Sequence, residues 1–132
     1  MGKAFSLIEV LVITVIIGIV VAFAMPQYAK MQERSLDNEA RGYIAMIQAA
    51  EKVYNVESRT FFASNDHTKL NDTLQISLPL GNSKWAYSAI VSGSPPNDTL
   101  CAQAKRNGFD NRYWHMMDSG TDSIQPVSGK CP

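Results

Sequence analysis

A long apolar stretch near the amino terminus constrains this chain more than any other feature of its sequence. It runs from Phe5 to Met25, and its few interruptions are Ser6, Glu9, Thr14 and Gly18. A helix of about 21 residues is about 32 Å long, which is enough to cross a hydrocarbon core of about 30 Å. The sequence therefore predicts a helix that can span a membrane, followed by a polar remainder.

Three interpretations compete for this segment, and Glu9 separates them. In a secretory signal peptide, Lys3 would form the basic region and Ala22-Phe23-Ala24 would resemble a cleavage site. A plain membrane anchor is the second possibility, and a helix that later assembles with copies of itself is the third. A carboxylate in a spanning helix costs on the order of a few kcal/mol, so it normally indicates a function and a partner. Neither a signal peptide nor a plain anchor has a use for Glu9.

The residues around Glu9 carry a specific resemblance. Residues 3–12, KAFSLIEVLV, resemble the prepilin signature, in which a short basic leader and a small residue precede Phe-Thr/Ser-Leu-Ile-Glu and an apolar helix. Gly18 and Pro26 fall where type IV pilins and pseudopilins commonly have glycine and proline. The close match covers residues 3 to about 30. The chain is therefore similar to the type IV pilin and pseudopilin family in this segment.

The resemblance implies how the amino terminus is processed and used. Residues 1–4 would be a leader that prepilin peptidase removes between Ala4 and Phe5, after which Phe5 would be N-methylated. The family usually has glycine where this chain has Ala4, and alanine is nearly as small. Residues 5–28 would then form a transmembrane helix that becomes the filament core. Its assembly residues would be Glu9, Gly18 and Pro26, with Glu9 meeting the new amino group of a neighbouring subunit.

The helical pattern continues beyond the apolar segment. From Gln27 to about Val56, apolar residues recur mostly every three or four positions, which is the period of an amphipathic helix. The charged and polar residues, including Gln48 and Glu51, are expected largely on the other face. Together the two segments predict one helix of about 50 residues, kinked near Pro26 because a proline removes a backbone hydrogen bond.

The rest of the chain is typical of a small sheet with turns. Clusters of Asn, Asp, Gly, Ser and Pro, including residues 65–67, 71–73 and 92–98, indicate loops and turns. Strand candidates lie between them, at residues 74–78, 85–91, 99–104 and 113–117. We therefore predict an α+β fold, in which residues 29–132 form an amphipathic half-helix packed against a small antiparallel sheet.

Cys101 and Cys131 are the only cysteines. By themselves they are compatible with two reduced thiols or with a disulfide, which requires an oxidising compartment such as that of an exported domain. The resemblance implies the disulfide, because many type IV pilins carry a disulfide-bounded region at the carboxyl terminus. A single pair without a CxxC spacing does not indicate a zinc or redox site.

Other chemistry is sparse in the sequence. Twelve basic and twelve acidic residues give a formal net charge of zero, so no nucleic-acid partner is predicted. No phosphate-binding loop, nucleophile elbow or metal-ligand spacing is recognisable, so we predict no enzyme activity, no cofactor and no metal. Residues 118–122, DSGTD, are rich in oxygen ligands and raise calcium as an alternative, but an ordinary solvated turn is the preferred interpretation.

These patterns predict a structural subunit of a type IV pilus-like filament. Its expected partners are copies of itself, a prepilin peptidase, the membrane and an inner-membrane assembly platform. Its expected location is the bacterial inner membrane before assembly and a pilus on the cell surface afterwards. Two alternatives stay open: a pseudopilin of a type II secretion system in a periplasmic pseudopilus, and a membrane-tethered ligand-binding module. The signature is common to filaments that serve adhesion, motility, DNA uptake or electron transport.

Overall fold

The computed structural model describes residues 6–81, 83–95, 97–108, 112–117, 125–127 and 131. The chain divides into two compact units, Met1–Leu36 and Asp37–Pro132. The elements in chain order are α1 (Leu7–Ser58), α2 (His67–Leu74), β1 (Trp85–Ser92), β2 (Thr99–Arg106), β3 (Tyr113–Met117) and β4 (Gln125–Val127). A long amino-terminal helix and a small antiparallel sheet confirm the predicted α+β class.

The first unit is entirely helical from Leu7 onward. The Ser6 carbonyl accepts hydrogen bonds from the backbone N–H groups of Glu9 at 3.0 Å and Val10 at 3.2 Å, which starts the helix. α1 has 52 residues, in agreement with the predicted length of about 50. It continues through Pro26, so the proline does not end the helix.

In the second unit, the carboxyl-terminal part of α1 packs on one face of the sheet. Ala40, Ile44 and Ile47 are fully buried against sheet residues that include Trp85 and Leu100. Burial of these side chains is the main source of stability for a domain of this size. The predicted apolar face of the half-helix is therefore confirmed for this part of α1.

Two polar residues of α1 contradict the expected solvent-facing position. Gln48 is 6% exposed and Glu51 is 0% exposed. They follow Ile44 and Ile47 at helical spacing and so share the buried face. Backbone partners explain how they are tolerated, since Gln48 Nε2 donates to the Met117 carbonyl at 3.4 Å and Glu51 accepts from a backbone N–H.

The sheet has the strand order β1-β2-β3-β4, with every neighbouring pair antiparallel. The strand predictions at residues 85–91, 99–104 and 113–117 are confirmed, and β4 was not predicted. Along β2, Leu100, Ala102 and Ala104 point to the helix, because they belong to the core. Cys101 and Gln103 alternate with them and therefore face the opposite side of the sheet.

The Cys101–Cys131 disulfide lies on that opposite side and confirms the predicted pairing, with a Cα–Cα distance of 6.1 Å. The Cys131 N–H also donates to Gln103 Oε1 at 3.2 Å. Two residues of β2 on one face therefore hold the same point of the carboxyl-terminal segment. Cys101 is 4% exposed and Gln103 is 5% exposed, which agrees with their contacts to Cys131.

The prediction of a strand at residues 74–78 is wrong, and so is the turn predicted at residues 71–73. Of the loop predicted at residues 65–67, Asn65 and Asp66 precede α2 and His67 is its first residue. Asp66 instead caps α2, accepting a hydrogen bond from the Thr68 N–H at 2.9 Å. Leu70 and Leu74, one turn apart, are the buried residues of this helix. α2 ends at Gln75, whose φ of 56° is left-handed and turns the chain away.

Asn71 explains why the segment after α2 does not join the sheet. Its Oδ1 accepts from the Leu78 N–H at 2.7 Å, and its Nδ2 donates to the Leu78 carbonyl at 3.1 Å. One amide side chain thus satisfies both backbone groups that a strand partner would otherwise take. Leu78 itself is buried, with 3% of its surface exposed.

We expect Asn71→Ala to destabilise the domain by about 1–3 kcal/mol, because it leaves two partly buried backbone groups without partners. The change would be measured as a lower thermal midpoint in the near-ultraviolet circular dichroism of the two tryptophans. Asp72→Ala, at an exposed position of the same helix, is the matched control and should change the midpoint little. Equal midpoints for both variants would contradict this role for Asn71.

The outer edge of β1 is covered by the segment that leads into α2. Ser64 and Ala89 exchange both backbone hydrogen bonds, at 3.0 and 2.9 Å. The next outward N–H along the strand, that of Tyr87, donates to His67 Nε2 at 2.9 Å. Since Nε2 accepts, Nδ1 carries the proton and donates to the Pro79 carbonyl at 3.1 Å. A neutral histidine therefore closes an edge that would otherwise be open to another strand.

Candidate functional site

The apolar part of α1 is the most unusual surface of the chain. Every large apolar side chain from Leu7 to Met25 is exposed, from 44% for Ile13 to 83% for Leu7. The helix is long and apolar enough to cross a membrane, with a mean hydropathy of 2.9 over its best window, of which none is buried. Water does not favour so large an apolar surface, so it indicates a lipid or protein environment.

Glu9 is the one charged side chain in this surface between Leu7 and Met25, and it lies in the first turn of α1. The partial positive charge of a helix amino terminus favours a carboxylate there. Among the residues that the structure describes, none forms a hydrogen bond or ion pair with the Glu9 side chain. The predicted cleavage residues Ala4 and Phe5 lie outside the described residues, so the structure does not bear on a contact between Glu9 and Phe5.

Gly18 and Pro26, the other two predicted assembly residues, both lie within α1. A Cβ atom added at Gly18 would meet nothing within 4 Å, so packing inside this subunit does not require glycine there. Pro26 has no N–H to donate to the carbonyl four residues earlier, which weakens the helix locally. The structure does not bring Glu9, Gly18 and Pro26 together; they are spread along one exposed helix.

A charged and aromatic cluster fixes the beginning of the second unit. Asp37 accepts from Arg112 Nη1, with distances of 3.1 and 3.2 Å to its two oxygens, and from Trp114 Nε1 at 3.3 Å. The Arg41 guanidinium lies 4.2 Å from the centroid of the Trp114 ring. These contacts join α1 to β3 at the point where the domain starts. Sequence reasoning missed this cluster because its members are about 75 residues apart.

Glu51 is the second feature that the sequence did not identify. One carboxylate oxygen, Oε2, accepts from the Phe62 N–H at 2.8 Å, whereas Oε1 has no partner among the described residues. Burial raises the pKa of Glu51 from 4.5 to about 7, and the hydrogen bond from Phe62 offsets part of this increase. The Glu51 carboxyl group therefore links the end of α1 to the following loop by a hydrogen bond. Because its pKa is raised, the free-energy cost of burying it depends on pH.

The described residues offer little for catalysis or metal binding. No group of three or more His, Cys, Asp or Glu side chains able to hold a metal occurs among them. An open groove of about 470 Å³ lies between α1 and the end of α2, and Met46, Val53, Tyr54 and Ile76 contribute to its mainly apolar lining. The calcium alternative at residues 118–122 lies outside the described residues.

Two named proteins are similar in sequence to this chain. The chain is 29% identical over 106 residues to fimbrial protein EcpC of Eikenella corrodens, covering 80% of this chain and 65% of that protein. It is 34% identical over 65 residues to the type IV major pilin protein PilA of Myxococcus xanthus, covering 49% of this chain and 26% of that protein. The chain thus spans less than two thirds of the length of either relative. No family model and no solved structure matches it.

The names of the two relatives are consistent with the architecture of the chain. Both are named as fimbrial or pilin proteins, and the match to EcpC extends over most of this chain. The chain also has the predicted apolar helix and antiparallel sheet, together with the disulfide that the resemblance implied. In sequence and in architecture the chain is therefore similar to proteins named as fimbrial or type IV pilin proteins.

Proposed function

We propose that this chain is a structural subunit of a type IV pilus-like filament and has no enzymatic role. The observation that carries the proposal is the exposed apolar helix with one carboxylate in its first turn. In the membrane, lipid covers this helix; in the filament, the helices of neighbouring subunits replace the lipid. The named pilin relatives favour this filament over the pseudopilus and over a tethered binding module.

The proposed path has three steps. The chain is inserted in the bacterial inner membrane through residues 5–28, with residues 29–132 outside the bilayer. A prepilin peptidase then removes residues 1–4, and Phe5 is N-methylated. Finally, an inner-membrane assembly platform adds the subunit to a helical homo-oligomer that emerges as a pilus on the cell surface.

Glu9 acts in the last step. Cleavage creates an amino group on Phe5, and the Glu9 carboxylate of an adjacent subunit pairs with it inside the filament core. Two separate charges in an apolar interior are costly, whereas a hydrogen-bonded pair satisfies both. The pair therefore sets the register between subunits, while the apolar side chains supply most of the affinity. Gly18 and Pro26 allow the helix between them to adapt when the helices pack.

The mass of the mature subunit tests this proposal. We expect filaments sheared from the cell surface to contain this chain starting at Phe5, with residues 1–4 absent and one methyl group added. A subunit that starts at Met25 would indicate a cleaved signal peptide, and one that starts at Met1 would indicate a plain anchor. Either of these results, or surface filaments that lack the chain, would contradict the proposal.

A further inference from the structure

Basic side chains collect at one end of the four-stranded sheet. Lys84 precedes β1, Lys105 and Arg106 end β2, and Arg112 precedes β3. Hydrogen bonds bring these positions together, since the Asn107 N–H donates to the Lys84 carbonyl at 2.8 Å and the Arg106 N–H donates to the Arg112 carbonyl at 2.9 Å. With Arg41 of α1, which stacks on β3, these residues are called here the basic end of the sheet.

The opposite end of the sheet has a different character. Within the described part of the chain, the strand ends and flanking residues there include Ser92, Asp98 and Thr99, with no lysine or arginine among them. The Asp98 carboxylate accepts from Thr60 Oγ1 and from the Phe61 N–H, both at 3.1 Å. Among the described strand ends and the residues that flank them, the cations therefore lie at the basic end.

Aromatic rings support three of the cations. Besides Arg41 on Trp114, Lys105 Nζ lies 5.9 Å from the Tyr113 ring centroid and the Arg106 guanidinium lies 5.8 Å from that of Trp85. Such contacts keep an apolar stem against the protein while the charged head stays in water. Lys84, Arg41 and Lys105 are exposed. The basic end is thus a surface of oriented cations.

The basic end is also where α1 enters the domain. Arg112 pairs with Asp37, the first residue of the second unit, and only residues 29–36 separate Asp37 from the proposed spanning segment. Lys30 and Arg34 lie in that short connection. We propose that the basic end binds the anionic phospholipid headgroups of the membrane that holds residues 5–28 before assembly. This inference rests on the proposed membrane insertion.

The described geometry favours lipid headgroups over nucleic acid. Single strands bind by stacking bases on exposed aromatic faces, but Trp85 is 0%, Trp114 3% and Tyr113 8% exposed. Phosphate groups at a membrane surface need only the charged heads, which these rings present. The carboxylates of Asp37 and Glu39 on α1 further reduce the positive electrostatic potential that a long polyanion would meet.

Amine footprinting of the full chain tests the inference. The chain is inserted into vesicles of phosphatidylcholine, with or without phosphatidylglycerol, and treated with a water-soluble acetylating reagent before mass spectrometry. We expect phosphatidylglycerol to lower the reactivity of Lys84 and Lys105 by about fivefold, the factor that corresponds to attraction of one lysine to an anionic surface. Lys69, an exposed residue of α2, is the internal control and should not change. High salt should restore the reactivity.

The other outcomes distinguish a failure of this inference from a failure of the proposed membrane insertion. If the chain resists alkaline extraction from both vesicles but Lys84 and Lys105 react equally in both, the inference is wrong and membrane insertion stands. If the chain is extracted from both vesicles, insertion fails and the inference fails with it. If added DNA protects the two lysines in phosphatidylcholine vesicles and phosphatidylglycerol does not, the basic end is a nucleic-acid surface and the lipid proposal is overturned.

Discussion

Replacing Glu9 by alanine is expected to leave a normally processed subunit that no longer forms filaments. In the proposed filament core, the variant would bury the Phe5 ammonium group without a counter-charge. Removing one partner of a buried ion pair costs about 3–5 kcal/mol. A loss of that size weakens each subunit contact by more than about a hundredfold. Because every subunit carries the change, the loss recurs along the whole filament.

The measurement counts surface filaments by electron microscopy and determines the subunit mass in the membrane fraction. Thr14→Val is the matched control, because Thr14 is, besides Glu9, the other hydrogen-bonding side chain between Leu7 and Met25. Its hydroxyl donates to the Leu11 carbonyl of its own helix at 2.8 Å, so no neighbour is needed to satisfy it. The valine variant should therefore assemble.

Glu9→Gln tests which property of the side chain matters. The amide can accept a hydrogen bond but carries no charge, so we expect fewer filaments than in the native chain and more than with alanine. Normal filaments from Glu9→Ala would contradict the pairing role. An unprocessed Glu9→Ala subunit would instead place Glu9 in recognition by the peptidase.

The sequence was most informative where one pattern extends over many residues. The helix α1 follows from an apolar run that ends at Met25 and a helical period that begins at Gln27, and three strands follow from short runs of strand-forming residues. The disulfide was implied by the resemblance, since two cysteines by themselves are also compatible with reduced thiols. The amino-terminal signature was likewise readable because its residues are adjacent in sequence.

The sequence was misleading where one tertiary contact overrides the local pattern. Residues 74–78 alternate as a strand does, but Asn71 occupies both backbone groups of Leu78. The Asn- and Asp-rich residues before them predicted turns, although Asp66 at an N-cap and Leu70 with Leu74 one turn apart could have indicated α2. Glu51 was placed on the polar face because its identity outweighed its helical spacing from Ile44 and Ile47.

The buried Glu51 is expected to make the domain less stable as pH rises from about 4.5 to about 7. Below pH 4.5 the carboxyl group is protonated in both the folded and the unfolded chain, so its ionisation costs nothing. Between 4.5 and about 7, its pKa values in the two states, the unfolded chain releases the proton while the folded chain keeps it. The free energy of unfolding therefore falls, by on the order of 3 kcal/mol in total. Above pH 7 both states are ionised and the fall stops.

Glu51→Gln should remove this decline. Glutamine can still accept the Phe62 N–H, which lies 2.8 Å from Glu51 Oε2, and has no charge to desolvate. The thermal midpoint is measured by near-ultraviolet circular dichroism of the full chain in an uncharged detergent. This signal reports on the second unit, because Trp85 and Trp114, the only tryptophans of the chain, both lie there. The difference between native and variant chains isolates Glu51 from other groups that titrate in the same range.

Glu57→Gln, at an exposed position of the same helix, is the matched control. It should follow the native pH dependence, because the buried Glu51 carboxyl group is retained in this variant. If Glu51→Gln also follows the native dependence, the folded domain accommodates the Glu51 charge without cost. That result would require a partner for Oε1 of Glu51.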